Sequence, residues 1–238
     1  MPDVIQSLWI GGRLSIMEQL SIRSFQAHGH QFVLYVYEDV DGVPPGTILM
    51  DASRVIPASR IFTYREHRTY AGFANFFRYK LLLEKGGWFV DADMVCLRRF
   101  DFQDDYVFSS EGRLEARQLV NVGAIKAPAG SAVLEYAWRA CERMDTAALK
   151  WSQSGPALLG QAVAAHALSP HVQPWPVFCP VHFSAWRRVL EPSLAWQFPP
   201  ETRAIHLWNE LWRRSGQDKD ARYDATCLYE RLKRCYLE

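Results

Sequence analysis

Several signatures are missing from this chain of 238 residues, and each absence removes a class of function. No apolar run reaches the roughly 18 residues that a membrane helix needs. The opening residues MPDVIQSLWIGGR carry neither a basic nor an apolar leader region, so the expected location is cytoplasmic, or peripheral to the inner face of a membrane. Charge of either sign is not in excess: 27 Lys and Arg stand against 26 Asp and Glu, which leaves no bulk positive field to hold nucleic acid. The five cysteines are odd in number, scattered and free of CxxC spacing, so reduced thiols are expected rather than a disulfide framework. The seven histidines do not cluster at zinc spacing. No glycine-rich phosphate loop and no G-x-S-x-G elbow occurs, so kinase and hydrolase chemistry lack their residues. There is also no repeat, low-complexity tract or linker composition, and residues 1–238 are expected to form a single domain.

What remains is globular: 49% apolar and 22% charged residues, enough to bury a sizeable core. The aromatic share of 13%, with nine Trp, suits a ligand groove as well as a core. The runs VIQSLWI (4–10) and QFVLYVYED (31–39) read as strands, with a helix from Ser15 to about Ala27 between them. This is a βαβ unit with parallel pairing. After a loop-rich stretch around a short element at 48–51, GFANFFRYKLLLEK (72–85) reads as a helix apolar nearly all round, hence internal, ended by Gly86 and Gly87. WFVDADMV follows as a strand, then strands at 106–109 and 120–126 and a helix over 131–144. Beyond Lys150 a helix opening at SQSGPALLG and a last amphipathic helix over 224–238 flank a proline-punctuated segment. The expected fold class is α/β, a Rossmann-like, mostly parallel sheet flanked by helices, with a loop-rich C-terminal third.

The sharpest feature is GGWFVDADM. Alternation along the expected strand points Asp91 and Asp93 to the same side at its carboxyl end, where open α/β sheets place ligands. Paired hard oxygen donors suit Mn²⁺ or Mg²⁺. Against this stands the common use of Asp in turns at strand ends. Asn75 and Arg78 lie three apart on the internal helix and share one face. A buried arginine needs an anionic partner. That partner is either a structural carboxylate, with Glu84 and Glu111 as candidates, or a ligand phosphate or sugar hydroxyl suited to the guanidinium fork.

The segment AGFANFFRYKLLLEKGGWFVDADMVCLR (71–98) resembles the core signature of glycosyltransferases with a DXD-containing sugar-binding region. That group includes fungal initiating α-1,6-mannosyltransferases, animal α-1,4-galactosyltransferases and bacterial polysaccharide enzymes, and more distantly the glucosylating domain of clostridial toxins. SQSGPALL (152–159) and AIHLWN (204–209) are similar to the family's Gly-Pro-x-Leu-Leu and His-x-Trp-Asn elements. The resemblance implies a GT-A fold and a metal-dependent hexosyltransferase. It would move sugar from a UDP-sugar to a glycan or lipid-linked acceptor in surface polysaccharide synthesis, with retention of anomeric configuration. It also implies that Asp93 binds metal, Asp91 touches ribose, sugar and metal shell, Arg78 holds sugar or diphosphate, and His206 supplies a late metal ligand. The end of the first strand, with Trp9 and Ile10, would flank the base, although burial habit favours Trp9 as core. Asn75 stands where many relatives have Asp. Asn121 and Gln153 are candidates for sugar hydroxyls, each with an ordinary structural explanation, and Glu111 either orients an acceptor hydroxyl or is an exposed loop acid. By position alone His206 reads as a core histidine, and the resemblance reverses that. The rival reading is a non-catalytic nucleotide-sugar or carbohydrate-binding module.

Overall fold

The computed structural model describes residues 4–114 and 117–238. Its central sheet has six strands, β1 (Val4–Trp9), β2 (Gln31–Val36), β3 (Ile48–Asp51), β4 (Gly87–Val90), β6 (Val107–Leu114) and β7 (Arg117–Ala127), in the order β3-β2-β1-β4-β7-β6. The first four are mutually parallel, while β7 runs antiparallel to both β4 and β6. A strand buried on both faces reads as a continuous apolar run, and successive side chains then enter different cores. Phe32 and Leu34 of β2 join one cluster and Val33 and Tyr35 the other. Trp88 and Val90 of β4 are likewise separated from Phe89.

Helix α1 (Ile16–Ala27) opens with a capping box, Ser15 accepting from the first turn and Glu18 accepting from Ser15. It packs over one face of the sheet together with α6 (Leu228–Tyr236) and a two-stranded ribbon of β5 (Met94–Cys96) and β8 (Ala204–His206). The other face carries α2 (Ala71–Lys85), α3 (Ala132–Glu142) and α4 (Pro156–Ala165). Helix α2 stops at Gly86, whose φ of +65° favours glycine and whose missing Cβ would collide with the backbone nitrogen of Ala129. A seven-residue helix α5 (Asn209–Ser215), begun by Trp208 in the left-handed region, was not signalled by the sequence pattern. Between α4 and β8 the chain forms only short 3-10 turns, the expected loop-rich third.

One expectation needs correction. WFVDADMV is not one strand: β4 ends at Val90, Asp91–Asp93 turn, and β5 leaves to pair antiparallel with β8. The turn is closed by Met94 N donating to Asp91 O at 3.0 Å, and Asp91 N still donates to Gly123 O at 2.8 Å. The aspartates therefore converge through a turn and not through strand alternation. The expected strand at 31–39 ends at Val36, and the 106–109 and 120–126 strands are parts of a longer antiparallel pair. The five cysteines are unpaired, four of them buried. No described helix is long and apolar enough to cross a membrane.

Candidate functional site

The order of the parallel strands reverses between β1 and β4, and open α/β sheets hold ligands in the crevice beyond the strand ends at such a point. A cleft of about 900 Å³ lies there. Trp9 and Ile10 line it from the end of β1, Asp91 to Asp93 from the end of β4, Asn75 and Arg78 from α2, and His206 and Asn209 from the C-terminal segment.

Asp91, Asp93 and His206 each offer one ligand atom, and those atoms lie within 4.8 Å of one another. Asp93 is buried. Its Oδ2 stands 3.3 Å from His206 Nε2 and accepts from Asn209 N at 2.7 Å. Burial opposes the charge on Asp93, yet His206 and the Asn209 amide outweigh it and the carboxyl titrates below its ordinary range. Burial also opposes charge on His206, and Asp93 overrides it, holding the imidazole well above 6.5. The other ring nitrogen, Nδ1, is 4.0 Å from Cys179 Sγ, and the ring stacks on Trp208 at 4.0 Å between centroids. Burial raises the Cys179 thiol, His206 opposes that, and the charges of Glu111 and Asp93 add to it. Beside this cluster the side-chain oxygen of Asn209 is buried without a hydrogen-bond partner. Two carboxylates, an imidazole and an orphaned amide oxygen on one cleft wall form a donor set that fits a hard divalent cation.

Arg78 is 3% exposed. It donates to Asp91 Oδ1 at 2.7 Å, to Ala74 O at 3.3 Å and to Val122 O, and its guanidinium lies 4.9 Å from the Phe89 ring. The structural partners proposed from sequence are thus replaced. Glu84 pairs with Lys80 one turn along the helix, and Glu111 accepts from Asn121, because the inward face of α2 aims Arg78 at the end of β4. Asn75 is buried and donates to Ser154 Oγ at 3.3 Å. A Cβ on Gly155 would come within 2.9 Å of Asn75 Nδ2, so glycine lets the start of α4 dock there.

Two sugar-binding candidates look different in the fold. Asn121 is buried, its Oδ1 accepts from Gly123 N at 2.6 Å and its Nδ2 donates to Glu111 Oε2 at 2.8 Å, so its amide is engaged internally. Gln153 is exposed, accepts from Lys150 N at 3.2 Å and is not part of the cleft lining; its neighbour Ser154 is the residue that reaches Asn75. Trp9 is half-buried on the core but lines the cleft, with an unpartnered indole N–H and the Lys219 ammonium 5.8 Å from its ring.

The sequence pattern missed the cleft's outer wall. Glu210 of α5 holds Arg213 and Arg214, Arg213 reaches His67 O, and Arg214 covers Trp151 at 4.4 Å. Lys219 pairs with buried Glu18 at 2.6 Å, and Asp220 accepts from Ile16 N at 2.6 Å. Backbone strain concentrates here too: Arg68, Ser152 and Trp208 are non-glycine residues with positive φ, and all three line the cleft.

Residues 47–110 match the family model described as glycosyltransferase sugar-binding region containing DXD motif, a stretch that includes Arg78, Asp91 and Asp93. No curated protein matches the chain in sequence. Among solved structures it is similar to PaToxG glycosyltransferase, with TM-score 0.54, 14% identity and 69% of each chain covered. It is also similar to the ligand-free glycosyltransferase domain from the YGT toxin, with TM-score 0.51, 6% identity, and 81% of this chain and 83% of that one covered. At these identities the likeness is one of fold.

Proposed function

We infer that this chain, a glycosyltransferase with a DXD-containing sugar-binding region and a GT-A fold, transfers a hexose from a UDP-sugar to an acceptor hydroxyl with the help of Mn²⁺ or Mg²⁺. The observation that carries the reading is the convergence of Asp91, Asp93 and His206 at the switch point of the sheet. Two carboxylates beside a diphosphate would repel it unless a cation intervened. Asp93 and His206 would hold that cation directly and Asp91 would complete the shell and reach the ribose and sugar. When bound, the cation supplies Lewis acidity that offsets the charge of the leaving diphosphate.

The chain's own residues prepare this site. Asn209 N and His206 fix the Asp93 carboxylate, and Arg78 fixes Asp91 while offsetting its charge. The remaining guanidinium N–H groups are left for the donor's sugar or diphosphate. Trp9 offers a ring for the uracil at the end of β1, beside Ile10, and Asn75 accepts from a sugar hydroxyl at the edge of α4. Residues 1–238 act as one domain in this reading. The family resemblance of 71–98 adds retention of configuration, a glycan or lipid-linked acceptor of surface polysaccharide synthesis, and a place in the cytoplasm or on the inner membrane face.

Incubation with UDP-glucose, UDP-galactose, UDP-N-acetylglucosamine and GDP-mannose, with free nucleoside diphosphate as the readout, tests it. Release from at least one UDP-sugar is expected, abolished by EDTA and restored by Mn²⁺. Release from none of the donors contradicts turnover and favours a binding module that kept the fold.

A further inference from the structure

The cleft that holds the candidate donor residues is also lined by a second, different pair of side chains, Glu111 and Phe183. Glu111 on β6 lines the cleft, and its carboxylate is oriented by Asn121, which is itself held by the amide of Gly123. Of the other acids that line the cleft, Asp91 meets Arg78, Asp93 meets His206 and Glu210 meets Arg213, while Asp218 and Asp220 accept from backbone amides. The partner described for Glu111 is a neutral amide.

Phe183 lines the same cleft and is 41% exposed. Its ring lies against His182 at 4.2 Å and meets Trp208 edge-on at 6.1 Å, and Trp208 in turn stacks on His206. The two elements are adjacent: a Cβ on Gly112 would stand in ordinary van der Waals contact with His182 Nε2, at 3.7 Å. An exposed aromatic ring and an oriented carboxylate therefore line one cleft, on chain neighbours of the close pair His182 and Gly112, and the aromatic ring is one ring removed from the histidine of the candidate cation site.

This combination selects among ligands. A phosphate or carboxylate would be repelled by Glu111. A purely apolar ligand would cover Glu111 without satisfying it, at the full desolvation cost of a charged group. A neutral pyranose satisfies both, because one face presents C–H groups and its edge presents hydroxyl donors. We propose that Phe183 and Glu111 form the acceptor subsite, taking a neutral pyranose whose C–H face lies on Phe183 and whose hydroxyl donates to Glu111. Asn121 is a positioning residue in this arrangement, which deepens the transferase reading and rests on it.

The test is saturation-transfer NMR of the full chain with UDP and the diamagnetic cation in MgCl₂, using the methyl α- and β-pyranosides of glucose, galactose and mannose. At least one glycoside receives saturation on one ring face. Phe183→Ala, at an exposed position, removes the signal, and Glu111→Gln weakens the glycoside by about tenfold, the size of a hydrogen bond to a charged group. Calorimetric affinity for UDP with Mn²⁺ stays within about twofold of wild type in both variants, well under 1 kcal/mol. Equal glycoside binding by wild type and both variants overturns the subsite, and so does the failure of every glycoside to bind the wild-type chain. Failure of UDP to bind overturns the transferase reading instead, and glycoside titration of the variants without UDP still reads the subsite.

Discussion

Replacing Arg78 separates two roles that the fold has joined in one residue. Its structural partner is Asp91, one of the carboxylates proposed to meet the donor, so loss of the guanidinium leaves an acid, the Val122 carbonyl and the Ala74 carbonyl with altered partners. Removing one partner of a buried ion pair costs about 3–5 kcal/mol. Asp91 is 25% exposed and can be rehydrated in part, which puts Arg78→Ala near the lower end, about 3 kcal/mol. For a domain of this size that is a fall in melting temperature of about 6–12 °C. Arg78→Lys keeps the charge and one contact but loses the planar fork, so a cost of about 1–2 kcal/mol and a fall of about 2–8 °C are expected. Asp91 is no longer held in place in that variant, and its affinity for UDP with Mn²⁺ should fall by about tenfold or more while the protein stays folded. Thermal unfolding and calorimetric titration on the same samples decide the matter. An Arg78→Lys protein with wild-type melting temperature and wild-type UDP affinity would refute the reasoning.

His206→Ala should remove most of the Mn²⁺-dependent gain in UDP affinity while the fold persists, read by titration with and without metal. The Asp93–His206 pair also predicts a pH dependence. The raised imidazole contributes stability that is present below 6.5 and lost as pH rises through its raised folded value. The lowered carboxyl contributes stability present above 3.8 and lost as pH falls through its lowered folded value. Melting curves in EDTA should therefore show a loss at both ends, and the stabilisation added by Mn²⁺ should grow with pH because the cation displaces the imidazole proton. A metal increment independent of pH would count against His206 as a ligand. Gln153→Ala should leave both melting temperature and UDP affinity within about 0.5 kcal/mol of wild type, since the residue is exposed and outside the cleft. A larger loss of UDP affinity would restore it as a sugar contact.

The parts legible in the sequence are those written in local chemistry. The run from Ala71 to Val90 states an internal helix and a glycine stop, which appear where expected, and a strand that begins there but ends at Val90. Asp91 and Asp93 were visible as a pair, but the break between β4 and β5 was not, because Met94–Cys96 continues the apolar run and its true partner β8 is more than a hundred residues away. Strand β8 has only three residues and α5 begins at a left-handed tryptophan, so neither offers a period to read. The residues from Glu210 to Asp220 look like a solvated charge run, yet their partners include Glu18 and the Ile16 amide on the first helix. For Asn121 the sequence left a sugar contact and an ordinary structural role open, because the groups that engage it, the Gly123 amide and Glu111, act through backbone geometry and a neighbouring strand.

The central claim is that Asp91, Asp93 and His206 hold a divalent cation that makes the cleft hospitable to a nucleoside diphosphate. Calorimetric titration of UDP into wild type and Asp93→Asn, each in EDTA and in MnCl₂, tests it most directly. Wild type should bind UDP at least about tenfold more tightly with Mn²⁺, and the variant should lose that increment while remaining folded. Equal UDP affinity in EDTA and Mn²⁺ for wild type, or an undiminished increment in Asp93→Asn, would contradict the account.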